Sequence, residues 1–213
     1  MIVLGLTGSI GMGKTATAGL FAEAGAPVWE ADRTVHALYA RGGGAVGPVG
    51  GAFPSAIVDG AVDRRRLAAL IRAEPGGFER LEAIVHPLVQ AHRNAFLDAN
   101  RSAGAPVAVL DIPLLFETGA DAEVDAVVVV SAPEPLQRQR VLERPGMDAA
   151  ALEVLLERQT PHAEKLTRAD FVVDTSQGFD LARAQVRTIL EAVNRPDFRS
   201  RRAGLDVNPK PSQ

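Results

Sequence analysis

Eight consecutive residues near the start of the chain have the spacing of a phosphate-binding loop. The run Gly8-Ser9-Ile10-Gly11-Met12-Gly13-Lys14-Thr15 fits the pattern G-x-x-x-x-G-K-[S/T] at every fixed position. Glycines let successive backbone N–H groups turn toward one anion, and a helix starting near Lys14 adds the positive end of its dipole. In such a P-loop the lysine reaches the β- and γ-phosphates of a nucleoside triphosphate and the Thr15 hydroxyl ligates Mg²⁺. We predict that residues 8–16, ending at Ala16, bind ATP.

Two carboxylates follow predicted strands, at the sheet edge where open α/β sheets bind ligands. Asp32 comes after the strand predicted at residues 27–31. It could accept the proton of an attacking hydroxyl or hold Mg²⁺ through water, and the alternative role is to cap a helix over residues 33–40. Asp111 ends the strand predicted at residues 106–111, where a role in the metal shell and a structural hydrogen bond are both open.

Arginines are frequent in the charged helical stretch between residues 133 and 166. Arg138, Arg140 and Arg144 could close over ATP and neutralise the charge on the moving phosphoryl group. A solvated helix face is the alternative interpretation for any one of them.

The elements around these residues alternate in the order of an α/β fold. An apolar strand at residues 2–6, the loop, a helix over 14–24 ended by Gly25, and the strand at 27–31 form a unit that builds parallel sheets. Further strands are predicted at 106–111, 125–131 and 169–174, and a terminal amphipathic helix at 179–193. Between them, Asp63 is predicted to cap a helix, and Pro87 to begin a new helix directly after His86.

Composition narrows the function classes. The 213 residues suit one α/β domain with small inserted parts. The net charge of −3, from 23 basic and 26 acidic residues, argues against a nucleic-acid binder. Because cysteine is absent, disulfides and cysteine nucleophiles are excluded. The longest apolar run, residues 126–130, is too short to span a bilayer, so we expect a soluble, cytoplasmic protein without membrane partners.

Several strings along the chain together resemble one family, the dephospho-coenzyme A kinases. The resemblance runs from Val3 to about Gln177. It rests on the segments Gly5–Thr15, Glu30-Ala31-Asp32, Leu81-Glu82-Ala83-Ile84-Val85-His86-Pro87-Leu88-Val89, Asp111-Ile112-Pro113-Leu114-Leu115-Phe116-Glu117, Gln137 through Arg140 to Arg144, and Arg158-Gln159 with Lys165 and Ala169-Asp170. The loop alone is shared by many unrelated NTPases, whereas the strings around His86-Pro87 and Asp111–Glu117 are far more specific.

The resemblance implies a P-loop kinase fold of three parts. These would be a nucleotide-binding core (residues 1–32, 105–136 and 169–195), a helical CoA-binding insertion (33–104) and a small helical lid (137–168). The reaction would be ATP-dependent phosphorylation of the ribose 3′-hydroxyl of dephospho-CoA, with Mg²⁺, giving CoA and ADP. Residues 196–213 are polar, without periodicity, and are predicted to be disordered.

The resemblance also assigns roles to individual residues. Asp32 would be the general base, with a possible water-mediated contact to Mg²⁺, and Lys14 and Arg140 would act on the phosphates, with Arg144 in the ATP site. His86, Pro87, Leu115 and Glu117 would lie on the acceptor side. Two positions depart from the family pattern. Glu30 replaces the usual Asp, and Thr175 stands where the family usually places an Asn near adenine.

Other functions stay open at this point. A P-loop kinase for a nucleoside monophosphate or another small alcohol shares the same loop. A regulatory GTPase would also share it, but neither its D-x-x-G switch nor its N-K-x-D guanine reader occurs in the sequence. The predicted partners are thus ATP and dephospho-CoA. The sequence does not distinguish a monomer from a small homo-oligomer.

Overall fold

A computed structural model of the chain describes residues 1–201, which divide into two compact units. The first contains residues 1–29 and the chain from Asn100 onward, and the second contains residues 30–99. The described strands are β1 (Ile2–Thr7), β2 (Val28–Glu30), β3 (Ile57–Val58), β4 (Ala61–Val62), β5 (Val107–Asp111), β6 (Ala126–Ser131) and β7 (Phe171–Asp174).

The α-helices of the described residues lie between and after these strands. They are α1 (Lys14–Glu23), α2 (Ala31–Tyr39), α3 (Val46–Ala52), α4 (Arg64–Ala73), α5 (Gly77–Ser102), α6 (Glu134–Leu142), α7 (Ala149–Glu157), α8 (His162–Thr167) and α9 (Phe179–Val193). In residues 1–201, none of them combines the length and apolar composition needed to cross a membrane.

Five strands form the main sheet in the order β2-β5-β1-β6-β7. The pairs β1–β5, β1–β6 and β6–β7 are parallel, which confirms the predicted α/β fold. β5 and β6 are apolar almost throughout and are buried, as expected for parallel strands covered on both faces. The core between sheet and helices includes Leu4, Phe21, Val128 and Val186, all of them fully buried.

The second unit has a small core of its own. Tyr39, Val49, Phe53 and Leu67 are among its buried residues. Its hairpin β3–β4 turns through Asp59-Gly60, whose φ angles of 51° and 78° suit a tight two-residue turn.

Helix α4 begins as its sequence predicts. The Asp63 carboxylate accepts hydrogen bonds from the backbone N–H groups of Arg65 and Arg66, so the predicted cap is confirmed. These bonds satisfy two of the amides that every helix leaves unpaired at its start.

The prediction of a helix junction at Pro87 is wrong. Helix α5 runs without a break from Gly77 to Ser102, with Pro87 inside it. Proline removes one backbone donor from a helix interior. Here Leu81, Ile84, Val85 and Leu88 pack on the core of the second unit on both sides of the proline, and this packing maintains one helix.

The first residues of the segment that was predicted to be a disordered tail contact the first unit. Phe198 packs against the core of the first unit, Ser200 Oγ donates to Asp125 Oδ1 at 2.6 Å, and Arg201 Nε pairs with Asp170 Oδ2 at 2.9 Å. Residues 196–201 therefore include several specific contacts to the folded unit. The rest of the predicted disordered segment, residues 202–213, lies outside the described residues.

Candidate active site

The phosphate-binding loop, residues 8–15, joins the end of β1 to the start of α1. Gly11 and Gly13 have φ angles of 79° and 94°, in the left-handed region that favours glycine. A Cβ at Gly11 would lie 2.6 Å from Val141 Cγ2 and 2.9 Å from the Gln137 carbonyl oxygen. Both backbone conformation and close packing therefore require glycine at Gly11.

Helix α1 begins at Lys14 without a side-chain cap. Gly13 is its N-cap residue, and the Gly13 carbonyl oxygen accepts from Thr17 N at 3.0 Å. The first amides of a helix have no partner within the helix, so this end has the donors and the dipole that favour an anion. Thr15 and Ala16 are exposed at the same end.

Lys14 is held by a carboxylate at the end of a neighbouring strand. Its Nζ donates to Asp111 Oδ1, and the Asp111 residue is only 4% exposed. The parallel pairing of β1 with β5 sets Leu6 opposite Asp111 and so brings this carboxylate to the loop. A buried carboxylate is stable beside a paired cation. The roles of Asp111 in a metal shell and as an anchor for Lys14 both fit this position.

Arg140 of α6 contacts the loop and the segment after β7. Its Nη1 donates to Thr175 Oγ1 at 2.9 Å and its Nη2 to the Thr175 carbonyl oxygen at 2.8 Å. A weaker contact of 3.5 Å joins Nη1 to the Gly11 carbonyl oxygen. The guanidinium is therefore fixed by three acceptors beside the phosphate-binding loop.

The other two arginines of this region are placed differently. Arg138 pairs with Glu134 at 2.9 Å and with Glu153 at 2.6 Å, and the hydrogen bonds that it donates to these carboxylates raise the pKa of Arg138. This matches the solvated helix face that was its alternative interpretation. Arg144 lies exposed in the turn after α6, and its predicted ATP contact stays a prediction.

An apolar cavity of about 280 Å³ lies next to the loop. Pockets that enclose drug-sized ligands have volumes of about 300–1,000 Å³, so this cavity suits one ring system rather than a whole nucleotide. Its lining includes Gly13, Ala16, Leu20, Arg140, Thr175 and Phe179. An arginine and an aromatic side chain that is 64% exposed favour a flat, stacked ligand such as a nucleobase.

Glu117 and Leu115 follow β5 on the segment predicted to face the acceptor. Glu117 Oε1 accepts from Thr160 N at 2.7 Å and lies 2.9 Å from Lys165 Nζ. Leu115 is fully buried, and its Cδ2 would lie 3.0 Å from a Cβ placed on Gly5. The structure therefore gives Leu115 a packing position and Glu117 an ion pair inside the first unit.

The pKa values in this cluster reflect burial and the charge of Lys165. Burial by itself would raise the pKa of Glu117, but hydrogen bonds from Lys165 and from backbone amides, with the Lys165 charge, leave it below its ordinary value. Burial, and then the Lys165 charge, lowers the pKa of His162, whose Nε2 lies 2.9 Å from Ser131 Oγ. His162 is thereby favoured as the neutral imidazole at neutral pH.

Three predicted site residues belong to the second unit. Asp32 is exposed in the first turn of α2. Glu30 is the N-cap residue of that helix and no side chain caps it, so the alternative of Asp32 as a cap is wrong. His86 and Pro87 are exposed in the middle of α5. The roles of these three residues stay predictions.

Two glutamines contact the loop in a way that residue types did not predict. Gln137 Nε2 donates to the Ile10 carbonyl oxygen at 2.7 Å, and Gln159 Oε1 accepts from Ile10 N at 3.3 Å. Both belong to strings that carried the family resemblance, which was the one sequence signal for them. No characteristic sequence spacing marks a glutamine that hydrogen-bonds to the backbone of such a loop, so this role could be identified only from the structure.

Comparison with known proteins gives the same family along nearly the whole chain. The family model described as Dephospho-CoA kinase matches residues 2–180. The chain belongs to the dephospho-CoA kinase family. A dephospho-CoA kinase of Rhodopseudomonas palustris is 56% identical over 192 residues, which are 90% of this chain and 96% of the relative. One of Agrobacterium fabrum is 54% identical over 191 residues, 90% of this chain and 97% of the relative.

Solved structures agree on the fold of the kinase. A crystal structure of a Thermus thermophilus protein is 32% identical, has a TM-score of 0.76, and covers 90% of this chain and 96% of its own. A dephospho-CoA kinase from Campylobacter jejuni has a TM-score of 0.66 at 21% identity, over 90% of this chain and 96% of its own. The expected resemblance is confirmed, and the chain is an ATP-dependent phosphotransferase.

Proposed function

We propose that this kinase transfers the γ-phosphoryl group of ATP to the ribose 3′-hydroxyl of dephospho-CoA, giving CoA and ADP, the final step of coenzyme A synthesis. The single observation that carries the proposal is the family match over residues 2–180, which includes the complete phosphate-binding loop. A bond forms between the 3′-oxygen and the γ-phosphorus, and the bond from that phosphorus to the β,γ-bridging oxygen breaks.

The donor side of the reaction uses residues of the first unit. Backbone amides of the loop and of the start of α1 bind the β- and γ-phosphates, and the Lys14 ammonium neutralises the charge that develops on the bridging oxygen. Arg140 binds the same nucleotide from α6, and Arg144 is proposed to join it. The cavity beside Gly13 accommodates the base.

Mg²⁺ is the metal ion that suits the oxygen ligands of this site. The exposed Thr15 hydroxyl and the Asp111 carboxylate are hard oxygen donors, and Mg²⁺ typically takes one or two of these with substrate phosphates and water. When bound, the ion would shield negative charge on the β- and γ-phosphates. Asp32 is proposed to contact it through water.

Asp32 is proposed as the general base on the acceptor side. Its carboxylate would take the proton of the 3′-hydroxyl as the new phosphate ester forms. His86, Pro87 and Glu117 are proposed to contact dephospho-CoA. Leu115 is proposed to support the segment after β5, which contains Glu117, through its buried packing. ATP and dephospho-CoA are thus the expected partners. A cytoplasmic location, and a monomer or small homo-oligomer, stay predictions.

Acceptor choice tests the proposed reaction. Release of ADP is measured with dephospho-CoA and, in parallel, with AMP, CMP and shikimate at equal concentrations, and the product position is read by ³¹P NMR. We expect turnover with dephospho-CoA to exceed that with the other acceptors by at least about 10³, because one site must recognise the whole acceptor. Preferential turnover of a nucleoside monophosphate would refute the proposal.

The role of Asp32 is tested by Asp32→Asn. We expect kcat to fall by about 10² to 10⁴, because a positioned base typically contributes that much, while ATP affinity changes little. Asp197→Asn is a matched control, since Asp197 is an exposed carboxylate that pairs with Arg195. If Asp32→Asn kept the kcat of the control variant, Asp32 would not be the base.

A further inference from the structure

Thr175 links two parts of the donor site that are far apart in the sequence. Its Oγ1 donates to the Met12 carbonyl oxygen at 2.8 Å and accepts from Arg140 Nη1 at 2.9 Å. A hydroxyl has one hydrogen and two lone pairs, so these two bonds are compatible. The phosphate-binding loop and helix α6 are therefore joined through one side chain.

The backbone of Thr175 strengthens this link. Its carbonyl oxygen accepts from Arg140 Nη2 at 2.8 Å, so both ends of the guanidinium fork are bonded to one residue. Its own amide donates to the Ser131 carbonyl oxygen at 2.9 Å, which ties it to the end of β6. A guanidinium held by two parallel bonds is fixed in orientation as well as position.

The same side chain packs closely on the loop. A Cβ at Gly13 would lie 3.1 Å from Thr175 Oγ1 and 3.2 Å from Thr175 Cγ2. Gly13, Arg140 and Thr175 all line the apolar cavity. Thr175 thus lies where the phosphate-binding loop, Arg140 and the proposed nucleobase cavity meet.

A free arginine side chain loses rotamer entropy when it is immobilised. If the fold already orders the arginine before the ligand binds, this loss of entropy does not weaken ligand binding. We infer that Thr175 is a positioning residue, which orients Arg140 against the phosphate-binding loop so that the nucleotide meets a preorganised guanidinium. The inference rests on the proposed function only for the identity of the nucleotide.

The test is a double-mutant cycle of Thr175 and Arg140. Affinity for a non-hydrolysable ATP analogue is measured by calorimetry without any acceptor, on wild type, Thr175→Val, Arg140→Ala and the double variant. We expect Thr175→Val to weaken binding about tenfold, because valine keeps the shape but leaves the Met12 carbonyl and Arg140 Nη1 without the hydroxyl. In the Arg140→Ala background the same change should cost less than about twofold.

Two further variants separate positioning from general loss of structure. Thr175→Ser keeps the hydroxyl, and we expect it to restore affinity to within about threefold of wild type. Thr188→Val is the matched control, since Thr188 lies exposed on α9 and its hydroxyl donates to the Ala184 carbonyl oxygen of the same helix. Thermal unfolding of every variant records whether affinity and stability change together.

Several results would overturn the inference. Equal losses from Thr175→Val in both backgrounds would show that Thr175 acts without Arg140, and equal losses in the Ser and Val variants would show that the hydroxyl is not the acting group. Wild-type affinity in Thr175→Val would remove the role altogether. Because no acceptor is present, these outcomes are independent of whether dephospho-CoA is the substrate.

Discussion

At the scale of single residues, Glu117 pairs with Lys165, whose ammonium is the most deeply buried charge among the described residues. The Lys165 side chain has no exposed surface, and its Nζ forms an ion pair with Glu117 Oε1 at 2.9 Å. Glu117 was predicted to lie near the acceptor. Its contacts indicate a stabilising role, because a buried ammonium needs a neighbouring anion.

We therefore predict that Glu117→Gln destabilises the fold. At pH 7 the free energy of unfolding should fall by about 2–4 kcal/mol, because Lys165 is left buried without its anion. The pKa of Glu117 is lower in the folded chain than its ordinary value of 4.5. The stabilisation is therefore fully present above pH 4.5 and is lost as the pH falls through the lower folded-state pKa. Urea unfolding at several pH values measures the difference.

Two comparisons make this result specific. Glu117→Gln combined with Lys165→Met should recover much of the loss, since no buried charge is then unpaired. Glu134→Gln, in an exposed pair with Arg138, should cause no measurable change. An unfolding free energy that Glu117→Gln leaves unchanged would contradict the predicted stabilising role, whether or not Glu117 also contacts dephospho-CoA.

At the scale of elements, the tip of the phosphate-binding loop is held by the region after β6. Gln137 on α6 is 4% exposed and donates to the Ile10 carbonyl oxygen, and Gln159 just after α7 accepts from the Ile10 amide. Both backbone polar groups of Ile10 are thus satisfied by side chains. This fixes the peptide plane just before Gly11, whose orientation decides where the next amides point.

We predict that Gln137→Met lowers kcat/KM for ATP about tenfold, because the Ile10 carbonyl loses its 2.7 Å hydrogen bond and the loop is held less firmly. Gln159→Met should have a smaller effect, since its bond is longer at 3.3 Å. Gln139→Met is the matched control on the same helix, where Gln139 Nε2 donates to Glu143 at the exposed surface. Steady-state kinetics with ATP varied would contradict the prediction if the Gln137 and Gln139 variants were equal.

Elements whose cause is local could be predicted from the sequence. The strand, loop and helix around Gly8–Thr15 follow from a short run of residues, and so does the cap at Asp63. The continuous helix through Pro87 could not be predicted, because packing on both sides of the proline outweighs its local preference. Thr175 and Gln159 lie 163 and 149 residues from their partners in the loop, so only the parallel sheet brings them there.

At the scale of the whole molecule, the segment after α9 contacts acidic side chains at the amino-terminal ends of the sheet strands, opposite the phosphate-binding loop. The Asp125 carboxylate accepts from Val3 N at 2.8 Å and from Ser200 Oγ at 2.6 Å. Asp170 accepts from Val127 N at 2.7 Å and pairs with Arg201 Nε at 2.9 Å. The backbone N–H groups of Val3 and Val127 are thus satisfied by acidic side chains, and Ser200 and Arg201 contact those carboxylates in turn.

The final prediction concerns this end of the chain. Removal of residues 198–213 should destabilise the protein by about 2–3 kcal/mol, because Phe198 leaves the core and Asp125 and Asp170 lose partners. Removal of residues 202–213 alone is the control, since it retains every contact of Phe198, Ser200 and Arg201 described above, and we expect near wild-type stability. Urea unfolding of both truncated proteins measures the difference. Composition alone predicts equal stability for the two, because it assigns the whole segment from Pro196 to a disordered tail, and equal midpoints would restore that interpretation.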